Sequence, residues 1–352
     1  MSTKKSVFGT LKDGREVCAY TLSNQSGAYV KIMDLGGTIL QLAMPDRNGV
    51  LSDIVCGYDS PQTYLEAGGY QGALIGRFGN RIHDGRFILH GKEYILAKNE
   101  NGITHLHGGN SGFNQKIWQV ELQEENDIPS LILSCVSPDG EEGYPGTLKV
   151  TVTYTLTNEN ALCIRYKAVT DKDTILNLTN HTYFNLGGYD SGDILHQQIQ
   201  INSRQITEVD AHCIPTGRLL SVEGTPFDLT SLTVIGDGID AENEQICFGG
   251  GYDHNFVLEN HGKTEKAAEV FDPVSGRVME VFTNQPALQF YAANMMNDPH
   301  PFKGGVPQKP RHALCLETQH YPDSPNHSNF PSCELKPGEV YDYTTIYQFS
   351  VR

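Results

Sequence analysis

The sequence predicts an all-β protein, a large sandwich or barrel, on three observations. Apolar residues recur with period 2 in many short runs, Gly, Pro, Asn and Asp clusters separate those runs, and helical periodicity is nearly absent. In chain order, residues 28–32 alternate Ala28, Val30 and Ile32 with Tyr29 and Lys31, the mark of a strand with one buried face. Residues 54–57 are a short apolar run and are predicted as a further strand. Ser60-Pro61 then offers a capping hydroxyl and a proline at the first helical position, which supports one or two helical turns to Glu66 before Gly68-Gly69. Strands are predicted again at residues 86–89 and 131–136. The clearest follows, with Leu148, Val150, Val152, Tyr154 and Leu156 alternating with Lys149, Thr151, Thr153 and Thr155. A turn at Thr157-Asn158-Glu159-Asn160 leads to Leu162, Ile164, Tyr166 and Ala168 as the hairpin partner. Residues 199–201, 278–283 and 341–351 complete the series.

The 352 residues contain no fixed-period repeat and no Pro- or Ser-rich linker, so residues 1–352 are expected to form a single domain. Lys and Arg number 26 against 42 Asp and Glu, a formal net charge of −16. That field repels phosphate backbones and anionic lipid, so no nucleic-acid partner and no membrane partner is expected. The eight cysteines stand at least 18 residues apart, which excludes a Cys-x-x-Cys zinc or redox pair. Met1-Ser2-Thr3-Lys4-Lys5-Ser6 precedes no apolar run long enough for a signal peptide or a span, so a cytoplasmic location with reduced thiols is expected. The four Asn-x-Ser/Thr triplets are then chance matches. Monomer and homodimer both remain open.

Five segments hold polar side chains that surface decoration does not explain. In Gly76-Arg77-Phe78-Gly79-Asn80-Arg81-Ile82, glycines allow close backbone approach and Asn80 and Arg81 offer donors to a polar ligand. A turn carrying surface arginines is the bland alternative, and no phosphate-binding fingerprint is present. His105-Leu106-His107-Gly108-Gly109 would, on a strand, point both imidazoles to one face, where they could ligate a metal. A structural histidine beside a glycine turn is the alternative. Asn177-Leu178-Thr179-Asn180-His181-Thr182-Tyr183-Phe184-Asn185-Leu186-Gly187-Gly188 surrounds His181 with polar groups, either to tune it or simply to satisfy it. Asp253 follows the Gly250-Gly251 turn as a ligand contact or a cap. Glu317 follows the apolar run Ala313-Leu314-Cys315-Leu316, where a carboxylate needs either a function or a salt bridge.

Taken together and in order, these segments resemble the aldose 1-epimerase family, the galactose mutarotases. Gly76-Arg77 with Gly79-Asn80-Arg81-Ile82, Leu106-His107-Gly108-Gly109 with Gly112-Phe113 and Trp118, Asn180 through Leu186, Asp253-His254-Asn255-Phe256, Gln289-Phe290-Tyr291 and Leu316-Glu317-Thr318-Gln319 carry the likeness. Pro331, Lys336-Pro337-Gly338-Glu339 and Tyr341 continue it, so that it spans residues 8–349. The resemblance implies a large antiparallel β-sandwich with a sugar cleft across one sheet. It further implies Glu317 as general base, His181 as general acid, and Asn80, Arg81, His107, Asp253 and Gln289 as the sugar-binding shell. Two departures bear on sugar preference: Ala292-Ala293-Asn294 replaces a common Thr-Gly-Asn, and residues 295–310 match no pattern of the family.

The implied reaction interconverts α and β anomers of a free aldohexose, galactose or glucose. It removes the C1 hydroxyl proton, protonates the ring oxygen and opens the ring, so two groups suffice and no cofactor or metal is expected. Three rivals use the same residues. A glycoside hydrolase would pair Asp253 with Glu317, a noncatalytic module would only bind the sugar, and a metal-dependent isomerase would use His105 and His107.

Overall fold

The computed structural model describes residues 2–125 and 128–352. The strongest alternation in the sequence lies inside an antiparallel sheet of nine strands. Leu148–Leu156 pairs with Ile128–Ser137 on one side and Ala161–Thr170 on the other. The sheet continues through Tyr341–Val351, Arg277–Thr283, Glu265–Phe271 and Gln198–Ile201 to Thr233–Val234, and Gln119–Glu125 closes its other edge. Val150, Val152, Tyr154, Ile164, Tyr166 and Tyr347 turn inward and are buried. Each such side chain contributes roughly 1.5–3 kcal/mol by leaving water, which is why the alternation sets the register of the whole layer.

Two five-stranded antiparallel sheets lie against that face. One is built in sequence order from Ser2–Thr10, Glu16–Ser23, Tyr29–Met33, Ile39–Pro45 and Leu51–Asp53. The other runs Pro215–Ser221, Gln205–Val209, Asp253–Val257, Ala287–Tyr291, Cys315–Gln319. All three sheets share one apolar core, and polar contacts within it link the layers. The Tyr154 hydroxyl donates to the Gly37 carbonyl at 2.8 Å, and the Tyr347 hydroxyl to the Leu316 carbonyl at 3.0 Å. The result is all-β, as the strand pattern predicts, and an antiparallel sandwich, as the family resemblance implies.

The helix at Pro61–Glu66 forms as expected, with the Ser60 hydroxyl accepting the Gln62 N–H. Ile235–Gly238 and Glu244–Gly249 are further short helices. The expectation of a strand at residues 54–57 needs correction: the strand is Leu51–Asp53, and beyond it only Val55 bridges, to Phe184. Ile54, Val55 and Cys56 are fully buried, so the apolar run reports burial and not a ladder. Their backbone bonds go to scattered partners instead, Cys56 N–H to the Tyr183 carbonyl and the Val55 carbonyl to the Lys303 ammonium.

Candidate active site

Strand alternation builds the site. In the sheet holding Cys315–Gln319, Asn255, Gln289 and Glu317 lie opposite one another across three strands, as do Asp253, Tyr291 and Cys315. These residues therefore project from one face. Phe256, Leu288, Phe290 and Leu316 occupy the other and enter the core. Apolar residues thus hold the sheet down while polar ones floor a cleft of about 310 Å³.

His181 reaches that cleft from the Thr179–Asn180 strand, which pairs with Leu74–Ile75. Its backbone is clamped both ways: its N–H donates to the Ala73 carbonyl at 2.9 Å and its carbonyl accepts from Gly72 at 2.8 Å. The ring stacks on Tyr183 with centroids 5.0 Å apart. Its Nε2 lies 3.6 Å from Glu317 Oε1, and its Nδ1 lies 3.5 Å from Cys315 Sγ. The second carboxylate oxygen, Glu317 Oε2, is buried without a hydrogen-bond partner.

The Arg81–Ile82 strand pairs with His105–Leu106 and brings Asn80, Arg81 and His107 to the same cleft. The chain can turn so tightly here because Gly108 has φ +87° and packs on the Gly76 carbonyl, where a Cβ would stand 1.8 Å from that oxygen. His107 itself has φ +51°. It therefore leaves the strand, and the expectation that His105 and His107 share a face fails. His105 bonds the Ala97 carbonyl and the Tyr144 hydroxyl, whereas His107 lies in the cleft against Tyr70, 4.7 Å between ring centroids.

Electrostatics divide the groups. Burial pushes Glu317 well above the usual carboxylate range, the Asp253 charge adds to this, and Arg81 opposes it. Burial drives His181 down to about 4 and His107 well below an ordinary imidazole. Arg81 meets Glu100 through two nitrogens at 2.8 and 2.9 Å and faces Asp253 Oδ2 at 3.8 Å, so the surface-arginine alternative is excluded. Burial would raise Glu100, but the Arg81 hydrogen bond and charge prevail and hold it below the usual range. Asp253 is raised by burial, against the pull of Arg81 and of the Gln289 amide, which donates to Oδ1 at 2.7 Å.

Of the seven candidate residues, Asn80, Arg81, His107, His181, Asp253 and Glu317 line the cleft. Gln289 does not; it sits behind Asp253 and acts on it. Sequence reasoning missed Glu100, whose only signal was an acidic residue near the His-x-His segment, and the Tyr70 and Tyr183 rings. Residues 295–310, without a family pattern, supply one wall through Met295, Met296, Asn297, Asp298 and Gln308. Lys303 anchors that wall, its buried ammonium donating to Asp53 Oδ2 at 2.5 Å and to the Leu40 and Val55 carbonyls.

His107, His181 and Glu317 bring ligand atoms within 4.8 Å of one another. They nevertheless make a poor metal centre. The Asn80 N–H donates to His107 Nδ1 at 3.1 Å, so the lone pair of that neutral ring is taken and Nε2 carries its hydrogen. His107 offers the cleft a donor, which suits a sugar hydroxyl and not a cation.

Fold and site together define an acid–base site: a buried carboxylate and imidazole side by side in a polar cleft on an antiparallel sandwich. The chain belongs to the aldose 1-epimerase family, whose family model matches residues 19–348. It is 41% identical over 351 residues to a galactose mutarotase of Bos taurus, covering 100% of this chain and 99% of that protein. With an aldose 1-epimerase of Escherichia coli K12 it shares 38% identity over 340 residues, 96% of each. Among solved structures, a galactose 1-epimerase from Lactobacillus acidophilus superposes with a TM-score of 0.87 at 28% identity, covering 100% of this chain and 99% of that one. An aldose epimerase homologue from C. elegans gives 0.85 at 30%, covering 94% and 98%.

Proposed function

We propose that the protein is an aldose 1-epimerase, an isomerase that interconverts the α and β anomers of a free aldohexose such as galactose or glucose. One observation carries the mechanism: Glu317 Oε2 is buried with no partner while Oε1 lies 3.6 Å from His181 Nε2. An unsatisfied carboxylate oxygen beside an imidazole is a base waiting for a hydroxyl proton, next to the group that returns one.

In this reading the Glu317 carboxylate takes the proton from the C1 hydroxyl as the His181 imidazolium gives its Nε2 proton to the ring oxygen and becomes a neutral ring that keeps its Nδ1 proton. The C1–O5 bond breaks and leaves an open-chain aldehyde. Rotation about C1–C2 turns the other face of the carbonyl toward the C5 hydroxyl, and the ring recloses with the roles reversed: His181 accepts the C5 hydroxyl proton and Glu317 returns its own to O1. Atoms and charge balance with no third reactant. The proton-carrying Nε2 of His107, Arg81, Asp253 and the Asn80 amide hold the remaining hydroxyls, so that only the carbonyl end turns. Gln289 orients Asp253. Free thiols at all eight cysteines support a reducing, cytoplasmic setting, and a role in galactose metabolism follows from the substrate class.

Polarimetry of freshly dissolved α-galactose and α-glucose, with and without protein, tests this reading. Faster approach to the equilibrium rotation is expected with at least one of them, and an unchanged rate with both would contradict it.

A further inference from the structure

In the ring opening set out above, His181 gives its proton as an imidazolium; this inference rests on that assignment. Burial works against the charged form and favours the neutral ring. The Glu317 carboxylate, 3.6 Å away, attracts the cation, but it can also take the proton and leave the pair neutral. A partner that favours the cation without accepting its proton shifts the balance toward the ionised pair. The face of an aromatic ring is such a partner.

Two tyrosine rings stand in that relation to His181. Tyr183 lies 5.0 Å from it between centroids, with 26° between the planes, and Tyr70 lies 6.0 Å away at 28°, so each turns its face, the negative side of its quadrupole, to the imidazole. Both line the cleft. Tyr183 is buried and packs in a separate apolar cluster with Cys56, Tyr58, Ala293 and Phe302. Tyr70 has φ +58°, a left-handed conformation that is costly for a bulky side chain. The turn that carries it is tied to the histidine: the Ala73 N–H donates to the Tyr70 carbonyl at 3.1 Å, while the Ala73 carbonyl and the Gly72 N–H hold the His181 backbone. Strain persists where the surrounding structure over-determines it, and here the surrounding bonds are those of the catalytic histidine. The other titratable groups around the imidazole are Glu317 and Cys315 on one strand, with His107 at 5.1 Å and Tyr291 at 6.5 Å, both at steep angles to it. Arg81 and Asp253 line the same cleft.

We propose that Tyr183 and Tyr70 are positioning residues that stabilise the His181 imidazolium through the faces of their rings, and so raise the fraction of enzyme poised to open a sugar. Neither phenol exchanges a proton in this scheme, because burial holds both hydroxyls above their ordinary value. The rings act only through His181.

The test pairs kinetics with nitrogen-15 spectra of His181 at pH 4. There Glu317 is protonated and about half of the wild-type His181 rings are charged, so the spectra read what the rings do for the cation. Leucine fills the position with an apolar side chain but has no π face. Tyr183→Leu should lower both the ratio of charged to neutral His181 and the neutral-pH kcat roughly two- to tenfold, with KM within about twofold, and Tyr70→Leu should move both in the same direction. The phenylalanine variants keep the face and should stay close to wild type. A ring that merely excluded water would give the opposite sign, because water admitted beside the leucine raises the charged fraction. Three results would overturn the proposal: a ratio unchanged or higher in the folded leucine variants, an unchanged kcat in them, or folded phenylalanine variants as impaired as the leucine ones. The spectra do not depend on turnover. A protein that acted on no aldose would thus contradict the functional reading, while the ratio would still decide whether the rings favour the cation.

Discussion

His181 Nε2 stands 3.6 Å from Glu317 Oε1, and the two groups are held by different strands on the floor of one cleft. Burial raises the carboxyl and lowers the imidazole, so the resting pair shares a single proton. The neutral arrangement and the ion pair that opens a ring differ only in where that proton sits. A hexose inserted at this point meets a base and an acid whose combined charge need not change through the cycle.

The pH dependence follows from those directions. Activity fails on the acid side when the pair gains a second proton, which burial delays until the His181 value of about 4. On the alkaline side the last proton leaves only above the raised Glu317 value. kcat/KM in the free enzyme should therefore stay flat from neutrality down to about pH 5. An acid limb centred near the ordinary imidazole value of about 6.5 would contradict this. Stability obeys the same sign: His181 binds a proton more readily when unfolded, so this group's contribution is lost as pH falls from about 6.5 toward its folded value.

Arg81 spends two nitrogens on Glu100 and turns a third toward Asp253. Lysine cannot bracket a carboxylate in that way. Arg81→Lys should raise KM for the sugar roughly tenfold, about 1.4 kcal/mol of binding, with a smaller fall in kcat. Arg81→Ala removes the counter-charge of two half-buried carboxylates, should cost about 1–3 kcal/mol of stability, and should both weaken binding and slow turnover. Steady-state polarimetry beside thermal melts checks both; an unchanged KM in Arg81→Lys would remove Arg81 from the sugar shell.

Chelation should leave the rate unaltered. The lone pair of His107 is taken by the Asn80 N–H, so one of the three ligands in the His107, His181 and Glu317 cluster has no free lone pair for a metal. Prolonged dialysis against a chelator followed by polarimetry decides it, and a lost rate restored by zinc would restore the metal-dependent alternative.

Much of this was legible in the sequence. The hairpin of Leu148–Leu156 and Ala161–Thr170 could be read because a sheet with one buried face writes its period into the side chains. Residues 54–57 misled because full burial of consecutive residues looks like a central strand whether or not a ladder forms. Five of the polar segments, taken with Gln289, carried the seven candidate residues, since each pairs unusual polarity with a glycine turn or an apolar strand. The pairing of Arg81 with Glu100, the anchoring of the 295–310 wall by Lys303 and the contact of Cys315 with His181 were not legible. Each joins residues distant in sequence through geometry that only the fold supplies, and the positive φ at His107 separated two histidines that period alone would have put together.

The central claim is that Glu317 is the base, and Glu317→Gln tests it most directly. The amide keeps the shape of the side chain but cannot accept the C1 hydroxyl proton at neutral pH. Polarimetric turnover, set beside calorimetric binding of galactose to the folded variant, should fall about 10²–10⁴-fold, while affinity changes by less than about tenfold. His181→Asn should do likewise, and the double variant should lose less than the product of the two single losses, because the two groups act in one ring opening. Full turnover in Glu317→Gln, or parallel loss of turnover and binding, would contradict the assignment.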